Sequence, residues 1–229
     1  RLAVLGEVSA VVAHELNNPL AAISMFNQML ATDLAADSPL RENVAVIQRN
    51  ADSCKRTIRE LLDYAHDTTP EIVEVDLHAV LEDVAAFLRP VRERAGVELE
   101  FCLAAKNSIV SGDEVQVRQV FVNLIVNAIQ AMSLRPGHVH VRTRDESEHL
   151  AVEIEDDGGG VPPELRHDIF RPFFTTKARG EGTGLGLSTS RRIAEMHGGT
   201  LELLTSRPGA TVFQVRLRRS AGKVAEWAG

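Results

Sequence analysis

The chain has 229 residues, of which 44% are hydrophobic and 25% charged, and its formal net charge is −7. This composition is typical of a globular protein with one or two domains, and the acidic balance argues against binding to nucleic acid or to an anionic membrane surface. There is no run of 18 apolar residues and no signal peptide, so we predict no membrane contact by this chain. Its two cysteines, Cys54 and Cys102, are expected to be reduced thiols, buried or half-buried.

The first predicted element is one long amphipathic helix over residues 1 to about 36. Apolar residues recur there at three- and four-residue steps, which is the spacing of a single apolar stripe. An α-helix turns about 100° per residue, so His14 falls on the opposite face and is expected to be exposed. Asn18 lies one turn later on the same face, and Pro19 predicts a kink. The stripe begins at Arg1-Leu2 without an initiator methionine, so we expect the sequence to be a piece of a longer protein.

A second helix is predicted over residues 40 to 66, after a start signal at Ser38-Pro39. The two helices form a hairpin in which each helix has one apolar stripe. A lone hairpin cannot bury both stripes well, and dimerisation into a four-helix bundle would solve that problem. Residues 66 to 71 are then typical of a linker.

After the linker, the pattern predicts strands interleaved with helices, which indicates a separate α/β domain. The strands are expected at 71–75, at 97–103, within 138–157 as two strands around a polar turn, at 200–205 and at 211–218. The helices are expected from Asp76 as N-cap to about Arg94, from a capping box of Asp113 and Gln116 to Met132, and from about Gly186 to His197. Residues 221–229 are weakly patterned and are interpreted as a C-terminal tail.

Glycine is concentrated in residues 158–199, which hold nine of the sixteen glycines. The stretch "GEGTGLGLS" ends at the start of a predicted helix, whose N-terminus favours anions. Such a loop can cradle phosphate, and a flexible loop without a ligand is the alternative. The P-loop motif GxxxxGK[ST] does not occur, and no GxGxxG follows a predicted strand, so neither common nucleotide motif is present.

Four polar side chains stand out within apolar surroundings. Asn123 and Asn127 are four residues apart on one face of an otherwise apolar predicted helix, so their amides either find buried backbone partners or face a ligand. Asp156 and Asp157 end a predicted strand before three glycines. These two acids either cap a turn or bind a base edge or a hydrated metal.

Five motifs follow one another along the chain: "AHELNNPL" (13–20), "NLIVNAIQAM" (123–132), "DDGGGVP" (156–162), "RPFFTTK" (171–177) and "GTGLGLS" (182–188). Together they resemble the histidine protein kinases of two-component signalling, and the wording is most similar to the nitrogen-regulation and PAS-linked sensor kinases. The resemblance covers nearly the whole chain. It implies a helical hairpin forming a dimeric four-helix bundle, followed by an α/β sandwich ATP-binding domain of the gyrase, chaperone and histidine-kinase type. The domains would be 1–68 for dimerisation and phosphotransfer and 69–220 for ATP binding.

In the hairpin, the resemblance implies that His14 is the phosphoacceptor. Glu15 would orient and deprotonate its imidazole, because the neutral ring nitrogen is the nucleophile. The stretch Glu15-Leu16-Asn17-Asn18 matches the form linked to phosphatase activity, in which Asn18 would position a water.

In the ATP-binding domain, the resemblance implies that Asn127 binds Mg²⁺ bridging the phosphates and that Asn123 supports the same region. Asp156 would accept a hydrogen bond from the adenine amino group. The other implied nucleotide-binding residues are Gly158, Gly160, Lys177, Gly182, Thr183, Gly184, Leu185 and Gly186.

A mobile lid is implied over about 161–183, with Phe173 and Phe174 as anchors. Gln130 stands where many relatives carry Lys or Arg, so that charge is supplied by Lys177 or Arg179, or is absent. The remaining histidines show no metal-binding spacing, and His138 and His140, which alternate on a strand, are interpreted as surface residues.

The sequence therefore predicts the cytoplasmic core of a homodimeric sensor histidine kinase. It would autophosphorylate His14 from Mg-ATP and pass the phosphoryl group to an Asp of a response-regulator receiver domain. One alternative is an ATPase clamp of the gyrase, chaperone or mismatch-repair type, against which the "HELNNPL" hairpin argues. The other is a degenerate kinase acting as a dimeric scaffold. The intact His14, Asn127, Asp156 and glycines argue against it, and a measurement of ATP binding would decide.

Overall fold

The computed structural model describes residues 2–65, 70–132, 135–177 and 182–220. Within the first of these ranges, the side chains of 2–14, 60, 61 and 63–65 are not described. Most of the predicted linker, the predicted tail 221–229 and Arg179 therefore lie outside the described residues. The chain forms two compact units, one of Arg1–Thr69 with Phe173–Leu185 and the other of Pro70–Pro172 with Gly186–Gly229.

The first unit contains the predicted helical hairpin, with α1 at Leu2–Asp33 and α2 at Leu40–Ala65. Pro19 lies inside α1, which continues through it. The loop between the helices is held by Arg41, whose guanidinium donates hydrogen bonds to the carbonyl oxygens of Ala31, Leu34 and Ala35. Carbonyl groups in the last turn of a helix have no partner within the helix, so Arg41 satisfies that of Ala31 in α1 and those of Leu34 and Ala35 in the loop.

The hairpin leaves much of its apolar surface uncovered, as predicted for two helices with one stripe each. Its buried side chains include the polar Ser24 and Asn27 beside Val44, Ala51 and Ile58. Among the described side chains of α1 and α2, the exposed large apolar ones are Leu16, Ile23, Met25, Phe26, Met29, Leu30, Leu40, Val46 and Ile47. Exposed apolar surface of this extent is typical of a contact with another chain.

The second unit is built on a five-stranded sheet in the order β2-β4-β5-β7-β6, with β2 and β4 parallel and the other neighbours antiparallel. Its strands are β2 (Val97–Leu103), β4 (Gly137–Asp145), β5 (His149–Asp156), β6 (Thr200–Arg207) and β7 (Ala210–Arg218). A two-stranded sheet of β1 (Val73–Asp76) and β3 (Ile109–Gly112) lies beside it. The sequence predicted each of these strands except β3, which has only four residues.

Three helices pack on one face of the larger sheet: α3 (Leu77–Ala95), α4 (Glu114–Ala131) and α5 (Gly186–Met196). Side chains alternate along β4 between the covered and the open face, with Val139 and Val141 buried and His138 and Arg142 exposed. As predicted, α3 is capped by Asp76, which accepts hydrogen bonds from the backbone N–H groups of His78 and Ala79. The prediction of a helical hairpin followed by a separate α/β domain is confirmed.

Only one of the two hydrogen bonds in the capping box predicted for α4 forms, so the prediction for Gln116 is wrong. Asp113 caps the helix, because its carboxylate accepts from the backbone N–H groups of Val115 and Gln116. The Gln116 side chain does not return the bond, and its buried Oε1 has no partner. Instead, the Asp113 N–H donates to Nε2 of the buried His197 at 2.9 Å, while Nδ1 of that ring lies 2.7 Å from the Ile193 carbonyl oxygen. A histidine 84 residues further along the chain thus completes the cap.

The prediction of buried or half-buried cysteines is also wrong, since Cys54 and Cys102 are free but exposed. Cys102 lies on β2 at the edge of the sheet, on the strand face that carries exposed residues. Among the described residues, no helix is long and apolar enough to cross a membrane.

Candidate active site

The face of α4 toward α5 carries the two predicted asparagines. Asn123 and Asn127 lie one turn apart, and the Asn123 amide donates to the Gly186 carbonyl at 3.4 Å and to Ser190 Oγ at 3.3 Å. A Cβ atom built on Gly186 would lie 3.8 Å from Asn123 Cγ and 4.0 Å from Asn127 Nδ2. The first turn of α5 therefore lies directly beside both amides, and Asn123 is satisfied by protein partners.

Asp156 is a buried carboxylate at the end of β5, with 3% of its surface exposed. Burial raises its pKa to about 6, because water is excluded from the charged form. Hydrogen bonds from the Gly158 N–H, at 3.0 Å, and from the Thr211 side chain oppose this rise in pKa, while the charges of Asp157 and Glu155 add to it. Perturbed carboxylates of this kind cluster at functional sites.

Gly158 connects Asp156 to the end of α4. A Cβ atom built on Gly158 would lie 2.7 Å from Asp156 Oδ1, 2.8 Å from Ala131 Cβ and 2.9 Å from the Ala131 carbonyl oxygen. Ala131 is one turn beyond Asn127 on the same helix. The chain therefore brings these residues together along the C-terminal half of α4: Asn123, Asn127, Asp156, Gly158 and Gly186.

Replacing Gly158 by alanine is expected to lower the free energy of unfolding by about 1–3 kcal/mol, the typical cost of an overpacked site. The added methyl group would meet Ala131 at less than van der Waals distance on backbone and Cβ atoms alike. Urea unfolding of the purified chain measures this change.

Gly159→Ala is the matched control, because a Cβ atom there would have nothing within 4 Å. It is expected to change the unfolding free energy by less than about 0.5 kcal/mol. Equal stability of the two variants would contradict the close packing of Gly158 on Ala131.

If Asp156 accepts a hydrogen bond from adenine, nucleotide affinity should fall as the pH drops through about 6, the pKa of this carboxyl group. The raised pKa means that the carboxylate is mostly ionised at pH 7 and mostly protonated at pH 5. A protonated carboxyl group loses that acceptor, so affinity at pH 5 is expected to be roughly tenfold lower, one pKa unit below the midpoint. Titration with an ADP analogue at both values measures the change.

The same titration on Asp156→Asn supplies the control, because an amide does not ionise and its pH dependence reports only the nucleotide's own phosphates. The difference between the two profiles isolates Asp156. Identical profiles for the two proteins would exclude Asp156 from contact with the base.

In the predicted phosphate loop, Gly182, Thr183, Gly184 and Leu185 belong to the segment Phe173–Leu185 of the first unit, and Gly186 belongs to the second unit. Gly184 has a φ of +71°, and a Cβ atom there would lie 2.4 Å from the carbonyl carbon of Phe173. A Cβ atom on Gly182 would lie 3.0 Å from Lys177 Cδ, so these residues fold closely on one another. Within the segment, Thr183 Oγ1 accepts from the Leu185 N–H at 3.3 Å.

Phe173 has a φ of +66°, a left-handed conformation that is rare for a bulky side chain. Its side chain is 62% exposed. Backbone strain of this kind is found at ligand clamps and switch segments, and it marks this turn as a feature that the surrounding chain must hold in place.

In the hairpin, Glu15 and Asn18 are exposed on α1. His14 lies in the same helix, but its side chain is outside the described residues, so its predicted exposure stays a prediction.

The residues that sequence reasoning missed are Ser190 and Thr211. Ser190 follows Gly186 by one helical turn, so the helical spacing was a signal that could have identified it. Thr211 faces Asp156 across the pairing of β5 with β7, and no local pattern in the sequence indicates that contact.

The residues of the second unit fit an adenine nucleotide with Mg²⁺. Asp156 offers a buried acceptor, Gly158 leaves no side chain between it and Ala131, and the α5 N-terminus beside Asn123 and Asn127 favours phosphate. The amide oxygen of Asn127 is a hard ligand of the type that Mg²⁺ prefers. The arrangement can therefore bind the base at one end of α4 and the phosphates one to two turns earlier.

Two family models match the chain. Residues 112–221 match the histidine kinase-, DNA gyrase B- and HSP90-like ATPase family, and residues 4–70 match the His Kinase A (phospho-acceptor) domain. The second match covers the helical hairpin, and the first covers the sheet from β4 onward together with α4 and α5.

Known proteins resemble the chain over most of its length. The signal transduction histidine-protein kinase AtoS of Escherichia coli is 37% identical over 91% of this chain, which spans 34% of AtoS. The crystal structure of histidine kinase ThkA in complex with the response regulator protein TrrA has a TM-score of 0.70 and 28% identity, covering 96% of this chain and 63% of that one. Full-length ShkA with AMPPNP has a TM-score of 0.77 at 22% identity, covering 92% of this chain and 45% of ShkA, which shows a shared fold.

These likenesses agree with a helical hairpin followed by an α/β domain. The chain belongs to the sensor histidine protein kinases of two-component systems.

Proposed function

We propose that this chain is a kinase core that transfers the γ-phosphoryl group of Mg-ATP to His14 and then to an Asp of a response-regulator receiver domain. Residues 1–68 would form the dimerisation and phosphotransfer domain, 69–220 the ATP-binding domain and 221–229 a tail. As a user of ATP that acts on a receiver domain, it would work in the cytoplasm.

The observation that carries this proposal is the convergence at α4. Gly158, next to the buried Asp156 carboxylate, lies against Ala131 in the last turn of α4. The amides of Asn127 and Asn123 lie one and two turns earlier on the same helix. This spacing matches a nucleotide laid along the helix, with its adenine at Asp156 and its phosphates at the first turn of α5. The acceptor helix of the family would then be α1, in which His14 would be the residue that is phosphorylated.

Each side chain has a distinct part in the proposed reaction. Glu15, the neighbour of His14, would take the imidazole proton so that the neutral ring nitrogen attacks the phosphoryl group. Asn123, Gly182, Thr183, Gly184, Leu185 and Gly186 would hold the phosphates, Gly160 would allow backbone approach to the base, and Lys177 would supply positive charge. Asn127 would hold Mg²⁺, which would offset the charge of the phosphates. Catalysis is then mostly positioning and charge neutralisation.

The apolar surface of the hairpin supports a homodimer. Leu16, Ile23, Phe26 and Leu30 recur along α1 and are 46–59% exposed in the single chain. Pairing with a second hairpin in a four-helix bundle would cover them. Because ThkA is a histidine kinase solved in complex with a response regulator, a receiver domain is the partner we propose for this chain.

The test is incubation of the purified chain with γ-labelled ATP, beside a reaction with α-labelled ATP. A protein-histidine kinase takes label only from the γ position, and the product is labile to acid and stable to base. Absence of covalent label in the presence of normal ATP binding would overturn the proposal. Absence of both the label and ATP binding would favour the dimeric scaffold, while ATP turnover without protein label would favour an ATPase clamp.

A further inference from the structure

A group of ionisable side chains lies on the open face of the larger sheet, where strands β2 and β4 run parallel. Glu98 pairs in register with His138, and Glu100 pairs in register with His140. Alternate residues of a strand point to the same side, so all four side chains share the face opposite the buried Val139 and Val141. The group lies outside the candidate nucleotide site.

The ligand atoms of this group are close together. His138 Nδ1 lies 3.7 Å from Glu98 Oε2 and 3.9 Å from Glu100 Oε1. One ligand atom from each of Glu98, Glu100 and His138 can be chosen so that all three lie within 4.8 Å of one another. Tetrahedral coordination with bonds of about 2.0–2.1 Å places ligand atoms roughly 3.3 Å apart, so shifts of a few tenths of an ångström to about 1.5 Å in exposed side chains complete the geometry.

His140 occupies a different position in the group. Its Nδ1 lies 3.2 Å from Glu100 Oε2, the carboxylate oxygen other than the one nearest His138. The His138 and His140 rings stack with an interplanar angle of 7° and a centroid distance of 6.1 Å. At this distance a small rotation of the ring would let His140 bond to Oε2, and such a bond would orient Oε1 toward a metal, as residues behind a metal ligand usually do.

The charges in this region also favour a cation. Within the described part of the chain, the ion-pair partners of Glu98 and Glu100 are histidines, which are neutral unless protonated. Arg142, the next outward residue of β4, is held by Glu155 at 2.6 Å and does not reach this pair. Two carboxylates that converge without an arginine or lysine repel each other, and a divalent ion relieves that repulsion.

We propose that Glu98, Glu100 and His138 form a binding site for a divalent transition-metal ion, with Zn²⁺ the best match, and that His140 positions Glu100. Imidazole with carboxylates suits Zn²⁺ better than Mg²⁺, which prefers oxygen ligands alone. Three protein ligands leave a fourth position for water. Because β2 is the edge strand of the sheet, the ion clips this strand to β4.

The test is titration of the untagged full chain with Zn²⁺ at pH 7.5, without nucleotide, by calorimetry and by competition with a chromogenic chelator. We expect one equivalent bound by the wild type and no such binding by His138→Gln or Glu100→Gln. His167→Gln is the matched control, an exposed histidine elsewhere in the same unit that should leave binding unchanged. Mg²⁺ should not compete.

The role of His140 is tested by two substitutions. His140→Ala should bind Zn²⁺ about 10–100-fold more weakly, as expected for loss of a residue that orients a ligand. His140→Asn should restore most of the affinity, because its amide nitrogen can occupy the place of Nδ1 and still donate to Glu100. Failure of this rescue would exclude the positioning role.

Thermal unfolding provides a second measurement. Zn²⁺ should raise the Tm of the wild type and leave that of His138→Gln unchanged, because a ligand stabilises only the form that binds it. The site proposal is overturned if the wild type binds no Zn²⁺, if both ligand variants bind normally, or if Cys102→Ser abolishes binding. The last outcome would assign the ion to the exposed thiol on the same strand.

Discussion

Replacement of His14 by alanine is expected to abolish covalent labelling by γ-labelled ATP. Alanine has no nucleophilic nitrogen, so the phosphoryl group loses its acceptor and the label should fall to background. Nucleotide affinity should change by less than about 0.5 kcal/mol, because His14 lies on α1 while Asp156 and the asparagines belong to the second unit. Filter-bound label and titration with a fluorescent nucleotide measure the two quantities.

Asn17→Ala is the matched control for this substitution. Asn17 is an exposed residue of the same helix, and the proposal gives it no part in the chemistry. It should keep the wild-type level of label. Label on the His14→Ala protein at the wild-type level would show that another residue accepts the phosphoryl group.

Substitutions of Glu15 and Asn18 are expected to produce opposite defects. Glu15→Gln keeps the size of the side chain but removes the base, and general base catalysis is typically worth about 10²–10⁴ in rate, so label should appear more slowly by a factor of this order. Asn18→Ala should keep autophosphorylation and lose dephosphorylation of the partner regulator. The amide is uncharged at working pH and cannot act as the base, but from one turn beyond His14 it can position a water.

The measurement compares the rate of label appearance on His14 with the decay of a pre-phosphorylated receiver domain. Pro19 follows Asn18 directly inside α1, so circular dichroism must first show that both variants keep the helix content of the wild type. The division of roles is wrong if Asn18→Ala slows labelling as much as Glu15→Gln, or if it leaves the decay unchanged.

Most of the helices and strands could be predicted because their signals are local. The apolar repeat and the Ser38-Pro39 start signal predicted the hairpin to within a few residues of α1 and α2. Asp76 was predicted as a cap because an N-cap carboxylate accepts from the first N–H groups of the helix that directly follows it in the chain. Strand β3 was missed because its residues Ile-Val-Ser-Gly do not alternate, whereas the Val-Glu-Val-Asp of β1, also four residues long, does. Its partner β1 also lies far away along the chain.

In the candidate site too, the local features could be predicted from the sequence and the contacts between distant residues could not. The sequence alone identified Asn123 and Asn127 as polar residues on one helix face and Asp156 as an acid at a strand end. It did not reveal that burial raises the pKa of Asp156 to about 6, because the pairing of β5 with β7 and the packing of α4 produce that burial. The His197 ring in the cap of α4 depends likewise on a contact between distant parts of the chain.

Three consecutive glycines show most clearly what the sequence determines and what only the tertiary structure decides. The sequence determined that Gly158, Gly159 and Gly160 form a turn after β5, because three residues without side chains end any regular pattern. Only the tertiary structure decided that Gly158 lies against Ala131, that Gly160 adopts a φ of +77° beside Arg207, and that Gly159 faces open space. The position of a turn can be read from the sequence, because it interrupts the regular period of a helix or a strand. The space around each glycine depends on which distant element packs against it. For the same reason, Glu98 and His138 were unrelated surface residues in the sequence until the parallel pairing of β2 with β4 placed them side by side.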